Sequence, residues 1–454
     1  MKRANPGFRR GAGSIALLFA LIAGAKAQDL SAKFDAYMSA LADQGRFTGA
    51  VLVARDGRVV FSRGYGKANV ELGVPNTTQT KFRLGSITKQ FTAAAILLLQ
   101  EQGKLSVRDS ICKYVDNCPV AWNEITIHHL LSHTGGVPNF TSFPDYLPNM
   151  MMPVTTADMI ARFRDKPLEF KPGEKWSYSN SGYFLLGVIV EKVSGESYES
   201  FLQKNIFGPL GLAATGYDHF ETILPNRATG YSMAKGKIIN SSFLDMSQPY
   251  SAGSLYSTVD DLFRWNEALF GGKVLSAKSL EAMTTPVKNN YGYGLGVSAI
   301  SGRKSVSHGG GINGFSTNLL RFPEEKVTIV VLRNADYGIP APGKITQDLA
   351  AILFGEKYEI PAPLAEVKVD PKILDAYAGR YEMGPNFIIT ISKEGDGLTA
   401  QATNQPKLDL FAQSETVFFS KVVDMKITFV KDETGKVTHL IVHQNGDRQA
   451  KRMN

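Results

Sequence analysis

Gly85-Ser86-Ile87-Thr88-Lys89 opens a stretch in which Phe91, Ala94, Ala95, Leu98 and Leu99 recur on one helical face, with Gly103 placed as a stop. The pattern predicts a helix from residue 86 to about residue 102. Ser86 and Lys89, three apart, then share a face of its first turn. That spacing has a chemical use. A serine hydroxyl is a weak nucleophile until a neighbouring base takes its proton, and desolvation can push a lysine toward the neutral amine that does so. The helix N-terminus adds partial positive charge and free N–H groups, which favour developing negative charge. Standing alone, the pair reads better as an N-cap serine beside a solvated lysine. Ser301-Gly302-Arg303-Lys304 has the same spacing in a predicted hairpin turn with no helix behind it.

Outward from this helix, Leu30, Phe34, Met38 and Leu41 recur at helical spacing. Two apolar runs follow, 50–54 and 59–61, and Asp56-Gly57 between them is a hairpin signal. Residues 127–132, 183–193, 198–206 and 260–269 read as helices. Strands return at 291–300, 305–308, 317–322 and 327–332, an antiparallel meander with turns at Ser301-Gly302-Arg303 and Pro323-Glu324-Glu325. A helix over 344–354 closes the region. Strands at both ends of residues 28–357 with helices between them predict an α/β (α+β) domain: one antiparallel sheet flanked by helices, carrying an inserted helical half, with a cleft between the two.

Pro361, Pro363 and Pro371 mark 358–371 as a linker. Beyond it, residues 372–454 turn to short alternating runs at 387–391, 398–402, 407–411, 417–421, 425–430 and 437–444. Turn signals such as Glu394-Gly395-Asp396-Gly397 and Asn445-Gly446 separate them, which predicts a small up-and-down β-barrel.

Two further segments bear on the chemistry. Tyr178-Ser179-Asn180 precedes the helix predicted at 183, and a tyrosine can relay a proton between nucleophile and leaving group if nearby cations lower its pKa. The Asn180 amide can hold a lysine with its oxygen and a substrate carbonyl with its nitrogen. His308-Gly309-Gly310-Gly311 ends a predicted strand, where glycines admit a close substrate backbone and an N–H can serve as half of an oxyanion hole. Each segment alone reads as a polar or glycine-rich turn.

Basic Lys2, Arg3, Arg9 and Arg10, an apolar run over 15–23 and Ala25-Lys26-Ala27 follow signal-peptide order, with cleavage expected after Ala27 and the mature chain periplasmic or secreted. Loss of residues 1–27 takes the formal net charge from +8 to +3. The basicity is mostly in the leader, no basic stripe interleaved with aromatics remains, and nucleic acid is not expected as a partner. No later stretch reaches membrane-spanning length. Cys112 and Cys118, the only cysteines, lie in one short polar segment that meets an oxidising compartment, which predicts a local disulfide. The seven histidines form no His-Glu-x-x-His run and no ligand set with cysteines, so neither a metal nor another cofactor is expected. His128 and His129 read as structural residues.

In their order, the Ser86, Tyr178 and His308 segments resemble the serine β-lactamase and penicillin-binding family, whose motifs are Ser-x-x-Lys, a second polar motif and Lys-Thr-Gly. The tyrosine-containing second motif resembles the class C branch, with its related D,D-peptidases, D-aminopeptidases and esterases. Leu130-Leu131-Ser132-His133-Thr134-Gly135-Gly136 and Ala252-Gly253-Ser254-Leu255-Tyr256-Ser257 also look like stretches of that family, over a similarity spanning about 30–355.

The resemblance implies Ser86 as nucleophile, Lys89 as its activating amine, Tyr178 as proton relay and Asn180 as an amide contact. It further implies the Ser86 and Gly311 N–H groups as oxyanion hole, and His308, Gly309 and Gly310 as a substrate-binding edge. The segment containing Tyr377-Ala378-Gly379-Arg380-Tyr381 is similar to lipocalin-like barrels appended to some peptidases of the family, where the barrel is held to limit access to the cleft. The third motif departs from Lys-Thr-Gly, losing a permanent cation and a hydroxyl. The expected function is an exported serine hydrolase acting on peptides, including those with D-residues, or on small esters and amides. The alternatives are a β-lactamase or penicillin-binding D,D-carboxypeptidase and, from another class, a non-catalytic binding or scaffold protein. Acyl donor, stereochemical preference and oligomeric state stay open.

Overall fold

A computed structural model describes residues 29–453 apart from Lys235, Leu364 and Asn445. The expected leader and its cleavage site at Ala27 lie outside the described residues. Six strands form one antiparallel sheet in the order Gly296–Ile300, Arg303–Ile312, Phe315–Phe322, Val327–Arg333, Gly49–Arg55, Arg58–Tyr65. The two ends of the domain meet where Gly49–Arg55 pairs along Val327–Arg333, from Gly49 opposite Arg333 to Arg55 opposite Val327. At the hairpin Asp56 and Gly57 take φ of +52° and +72°, the double left-handed turn that matches strand twist.

Alternation along the strands sends side chains to two cores. Ala50, Leu52, Leu319, Val330 and Leu332 face the helical half and pack with Phe91 and Tyr183. Val51, Val53, Leu320, Ile329 and Val331 face the other way, against Phe34, Met38 and Leu41 of the opening helix, which runs to residue 43, and Ile345 and Leu349 of the helix Pro342–Phe354. The central strands are therefore buried on both faces, which is why Ile329–Leu332 is continuously apolar.

Most elements start or stop within a few residues of their sequence signals. The strand expected over 291–300 is shorter, Gly296–Ile300, because Asn289 and Asn290 at φ of +51° and +54° fold the chain into turns that carry Tyr291 inward. The third-motif strand is longer and runs through its glycines to Ile312. The sulfurs of Cys112 and Cys118 are bonded at 1.98 Å.

The C-terminal strands close an eight-stranded barrel. Its first and last strands, Gly379–Gly384 and Asp447–Arg452, carry little apolar pattern, and they meet at Tyr381 opposite Arg452 and Glu382 opposite Lys451. Pro371, expected at the end of the linker, instead begins the helix Pro371–Tyr377, with Asp370 accepting from the Lys372 N–H as its cap. That helix puts Leu374 and Tyr377 into the barrel core, where Tyr377 stacks on Phe429 at 4.1 Å. The barrel meets the first domain through Val422, which packs on Tyr231, Ala335 and Tyr337, and through a hydrogen bond from the Gly338 N–H to the Lys421 carbonyl.

Candidate active site

The turn Gly85–Ile87 leads directly into the helix Thr88–Glu101. It abuts the third-motif strand so closely that a Cβ on Gly310 would stand 1.9 Å from the Leu84 carbonyl oxygen, and one on Gly85 3.0 Å from the Gly311 nitrogen. Glycine at these two positions lets the Gly311 N–H and the Ser86 turn share one end of the cleft. From the opposite side, Ser179 caps the helix Asn180–Ser194 by accepting from the Gly182 N–H, and this cap turns Tyr178 and Asn180 toward Ser86.

Four side chains converge. The Tyr178 phenol donates to Ser86 Oγ at 2.7 Å. Lys89 Nζ lies 3.0 Å from Ser86 Oγ, 2.9 Å from Asn180 Oδ1 and 2.9 Å from the Ala252 carbonyl. Lys89 is fully buried, no carboxylate pairs with it among the described residues, and burial holds its pKa well below the usual lysine range. A neutral amine has two hydrogens and one lone pair. Asn180 Oδ1 and Ala252 O can only accept, so they take the two hydrogens and leave the lone pair directed at the Ser86 hydroxyl. The arrangement can therefore deprotonate a serine.

Tyr178 departs from expectation. Its pKa is raised by burial, an effect that the hydrogen bond with Ser86 only partly offsets, instead of being lowered by cations. The neighbouring cation that would lower it is the desolvated Lys89, whose Nζ sits 4.8 Å from the Tyr178 ring centroid and is itself pushed toward neutrality. Tyr178 is thus a phenol that can give a proton and not a resident phenolate.

His308 sits inside the site with both ring nitrogens engaged. Nδ1 is 2.6 Å from the Gly309 carbonyl, which can only accept, and Nε2 is 2.9 Å from the Tyr291 hydroxyl. Nδ1 therefore carries the proton and Nε2 accepts from Tyr291. Burial first, and then the Lys89 charge, bring the His308 pKa down to about 4. The edge on which Lys-Thr-Gly would offer a cation holds a neutral ring. Asn180 gives its oxygen to Lys89 as expected, while its Nδ2 donates to Thr141 Oγ1 at 3.2 Å.

Ser301, the decoy, lies at the tip of a turn and donates to Glu356. His128 pairs with the Tyr293 hydroxyl at 2.6 Å and His129 forms a capping box with Thr126, so both do structural work. Among the described residues, no group of three or more His, Cys, Asp or Glu side chains could hold a metal ion, and no helix is long and apolar enough to cross a membrane. Sequence reasoning missed Tyr291, Thr141 and the Ala252 carbonyl. The 252–257 stretch had stood out only as family-like.

Residues 32–353 match the family model described as Beta-lactamase. The chain belongs to the beta-lactamase family. As a member it is a serine hydrolase, with the mixed fold of that family followed by a closed barrel, and residues 365–454 match a domain of unknown function, DUF3471. Penicillin-binding protein 4* of Bacillus subtilis (strain 168) is 30% identical over 441 residues, covering 91% of this chain and 96% of that protein. An octameric penicillin-binding protein homologue from Pyrococcus abyssi aligns with a TM-score of 0.65 at 29% identity, over 92% of this chain and 99% of its own. A D-stereospecific amidohydrolase from Streptomyces sp. aligns with a TM-score of 0.59 at 26% identity, over 71% of this chain and 99% of its own.

Proposed function

We propose that this beta-lactamase family member is an exported hydrolase that forms an acyl-enzyme on Ser86 and acts on uncharged amides and esters, including peptides with D-residues. The observation that carries the reading is the buried Lys89, whose two acceptor-only neighbours leave its lone pair for the Ser86 proton. Lys89 takes that proton as Ser86 Oγ attacks the substrate carbonyl, and the oxyanion is held by the Ser86 and Gly311 N–H groups. Tyr178 gives its proton to the departing nitrogen or oxygen and recovers one from Lys89, which returns both groups to their starting state. Water then attacks the ester carbonyl by the same path in reverse, and carboxylic acid and free Ser86 result.

The likeness to a D-stereospecific amidohydrolase supports amides with D-residues. The neutral His308 supports uncharged donors over β-lactams, which carry a carboxylate beside the reactive ring. A β-lactamase or D,D-carboxypeptidase activity is the second reading, favoured by the likeness to penicillin-binding protein 4*. Export after cleavage at Ala27 rests on the leader-like order of residues 1–27, and N-terminal sequencing of protein from the periplasm or medium tests it. The activity is tested with p-nitrophenyl esters, D- and L-amino-acid amides and a chromogenic cephalosporin offered to the mature protein. Turnover of the esters or amides above the cephalosporin in kcat/KM is expected. The reverse order would replace this reading by the second.

A further inference from the structure

His133 lies in the stretch Leu130–Gly136, beside Tyr178. It is 2% exposed and takes φ of +57°, a left-handed conformation that Asn, Asp and His adopt more readily than other non-glycine residues. Its main chain and side chain grip the chain on both sides of Tyr178. The His133 carbonyl accepts from the Ser177 N–H at 3.0 Å, and His133 Nδ1 accepts from the Ser179 N–H at 3.2 Å. Between these bonds the imidazole packs on the Tyr178 ring at 4.3 Å between centroids. Tyr291 and Tyr183 enclose the ring at 4.8 and 5.0 Å, with Trp176 at 6.0 Å.

A backbone N–H can only donate, so Nδ1 has to be bare and the ring neutral, with its hydrogen on Nε2. Nε2 has no hydrogen-bond partner among the described residues. A residue present only to fill the core would not need a polar ring with one nitrogen unsatisfied, since an apolar side chain of that size would avoid the cost. Its useful atom is Nδ1, and what Nδ1 holds is the backbone one residue beyond the phenol.

We infer that His133 is a positioning residue which clamps the backbone on either side of Tyr178 and so fixes the phenol 2.7 Å from Ser86 Oγ. The inference rests on the proposed role of Tyr178 in proton transfer. A misplacement of about 1 Å in a reacting group can cost about 10²-fold in rate, which sets the scale of the effect.

Four variants test it with whichever p-nitrophenyl ester or amino-acid amide the wild type turns over. His133→Phe keeps a ring but leaves the Ser179 N–H without an acceptor, and should lower kcat about 10- to 100-fold with KM within about twofold. His133→Asn puts an oxygen near the Nδ1 position and tolerates the left-handed backbone, so it should recover most of the loss. His133→Gln reaches toward the Nε2 position instead and should recover little. Tyr178→Phe combined with His133→Phe should be no slower than Tyr178→Phe alone, because a clamp has nothing to position once the phenol is gone.

Wild-type kcat in His133→Phe, equal activities of the Asn and Gln variants, or losses that multiply in the double variant would each overturn the inference. If His133→Phe does not fold, the Asn and Gln comparison decides alone. A wild type that neither turns over substrate nor reacts with a fluorophosphonate refutes the hydrolase reading itself. A wild type in which only Tyr178→Phe slows turnover refutes the clamp and leaves that reading standing.

Discussion

Replacing Asn180 by aspartate puts a carboxylate where an amide oxygen now lies 2.9 Å from Lys89 Nζ. Lys89 owes its lowered pKa to burial, with no carboxylate paired to it among the described residues. An opposite charge within about 4–6 Å favours the ionised form by about 1–3 pKa units. The sign follows directly: Lys89 acts as a base only when neutral, so a raised pKa moves the acid limb of kcat/KM to higher pH by the same about 1–3 units. At a pH below the new limb, the rate of Asn180→Asp should fall about 10- to 10³-fold and recover as pH rises. Asn180→Ala is the control. It removes the same hydrogen bond without adding charge, so its rate should drop without an alkaline shift of the limb. The assay is kcat/KM from pH 5 to 10 on a neutral p-nitrophenyl ester, corrected for background hydrolysis. An unshifted limb in Asn180→Asp would refute the assignment of Lys89 as the neutral base.

Three further outcomes follow from the site. Tyr178→Phe should lower turnover about 10²- to 10⁴-fold while leaving Tm near wild type, as measured by steady-state kinetics and thermal unfolding. An unchanged rate with a lowered Tm would assign the phenol a structural role. Gly310→Ala would bring a methyl group to 1.9 Å from the Leu84 carbonyl oxygen, so it should cost about 1–3 kcal/mol in denaturant unfolding and displace the Ser86 turn, with loss of activity. Wild-type stability and rate would mean that the strand and turn do not meet as described. His308→Lys with Gly309→Thr should narrow the gap between ester and cephalosporin hydrolysis by about tenfold to hundredfold, since a hydrogen bond to a charged group is worth about 1.5–3 kcal/mol. A gap that stays the same or widens would count against the neutral-edge explanation.

The Ser86–Lys89 pair was legible because its spacing falls where the chain enters a strongly apolar helix, with Ser86 in the short turn before it and Lys89 in its first turn, and Ser301 was legible as a turn because no such helix follows it. The six-stranded sheet could be anticipated from Asp56-Gly57 and from the apolar run Ile329–Leu332, whose strand pairs the two ends of the domain. Groups that act through position and not through a motif were not legible. The Ala252 carbonyl has no side-chain signature, and Thr141 lies in the short 3-10 turn Phe140–Ser142 that only folding brings to Asn180. Tyr291 was read into a strand, and two left-handed asparagines just before it turn its hydroxyl to His308 instead. The closing strands of the barrel escaped notice because their exposed faces are polar, and Tyr381 and Ala450 supply most of what they bury. The direction of the Tyr178 shift is not legible in the sequence because it is set by burial, and the same burial pushes the neighbouring Lys89 toward neutrality and so weakens the charge that would act on the phenol.

The central claim is that Ser86 carries the acyl group, and the most direct measurement is the mass of its peptide after reaction of the intact mature protein with a fluorophosphonate. The account predicts one adduct, on Ser86, absent from Ser86→Ala and retained in Ser301→Ala, with turnover lost and kept in the same two variants. An adduct that persists in Ser86→Ala, or one that maps to Ser301, would contradict it.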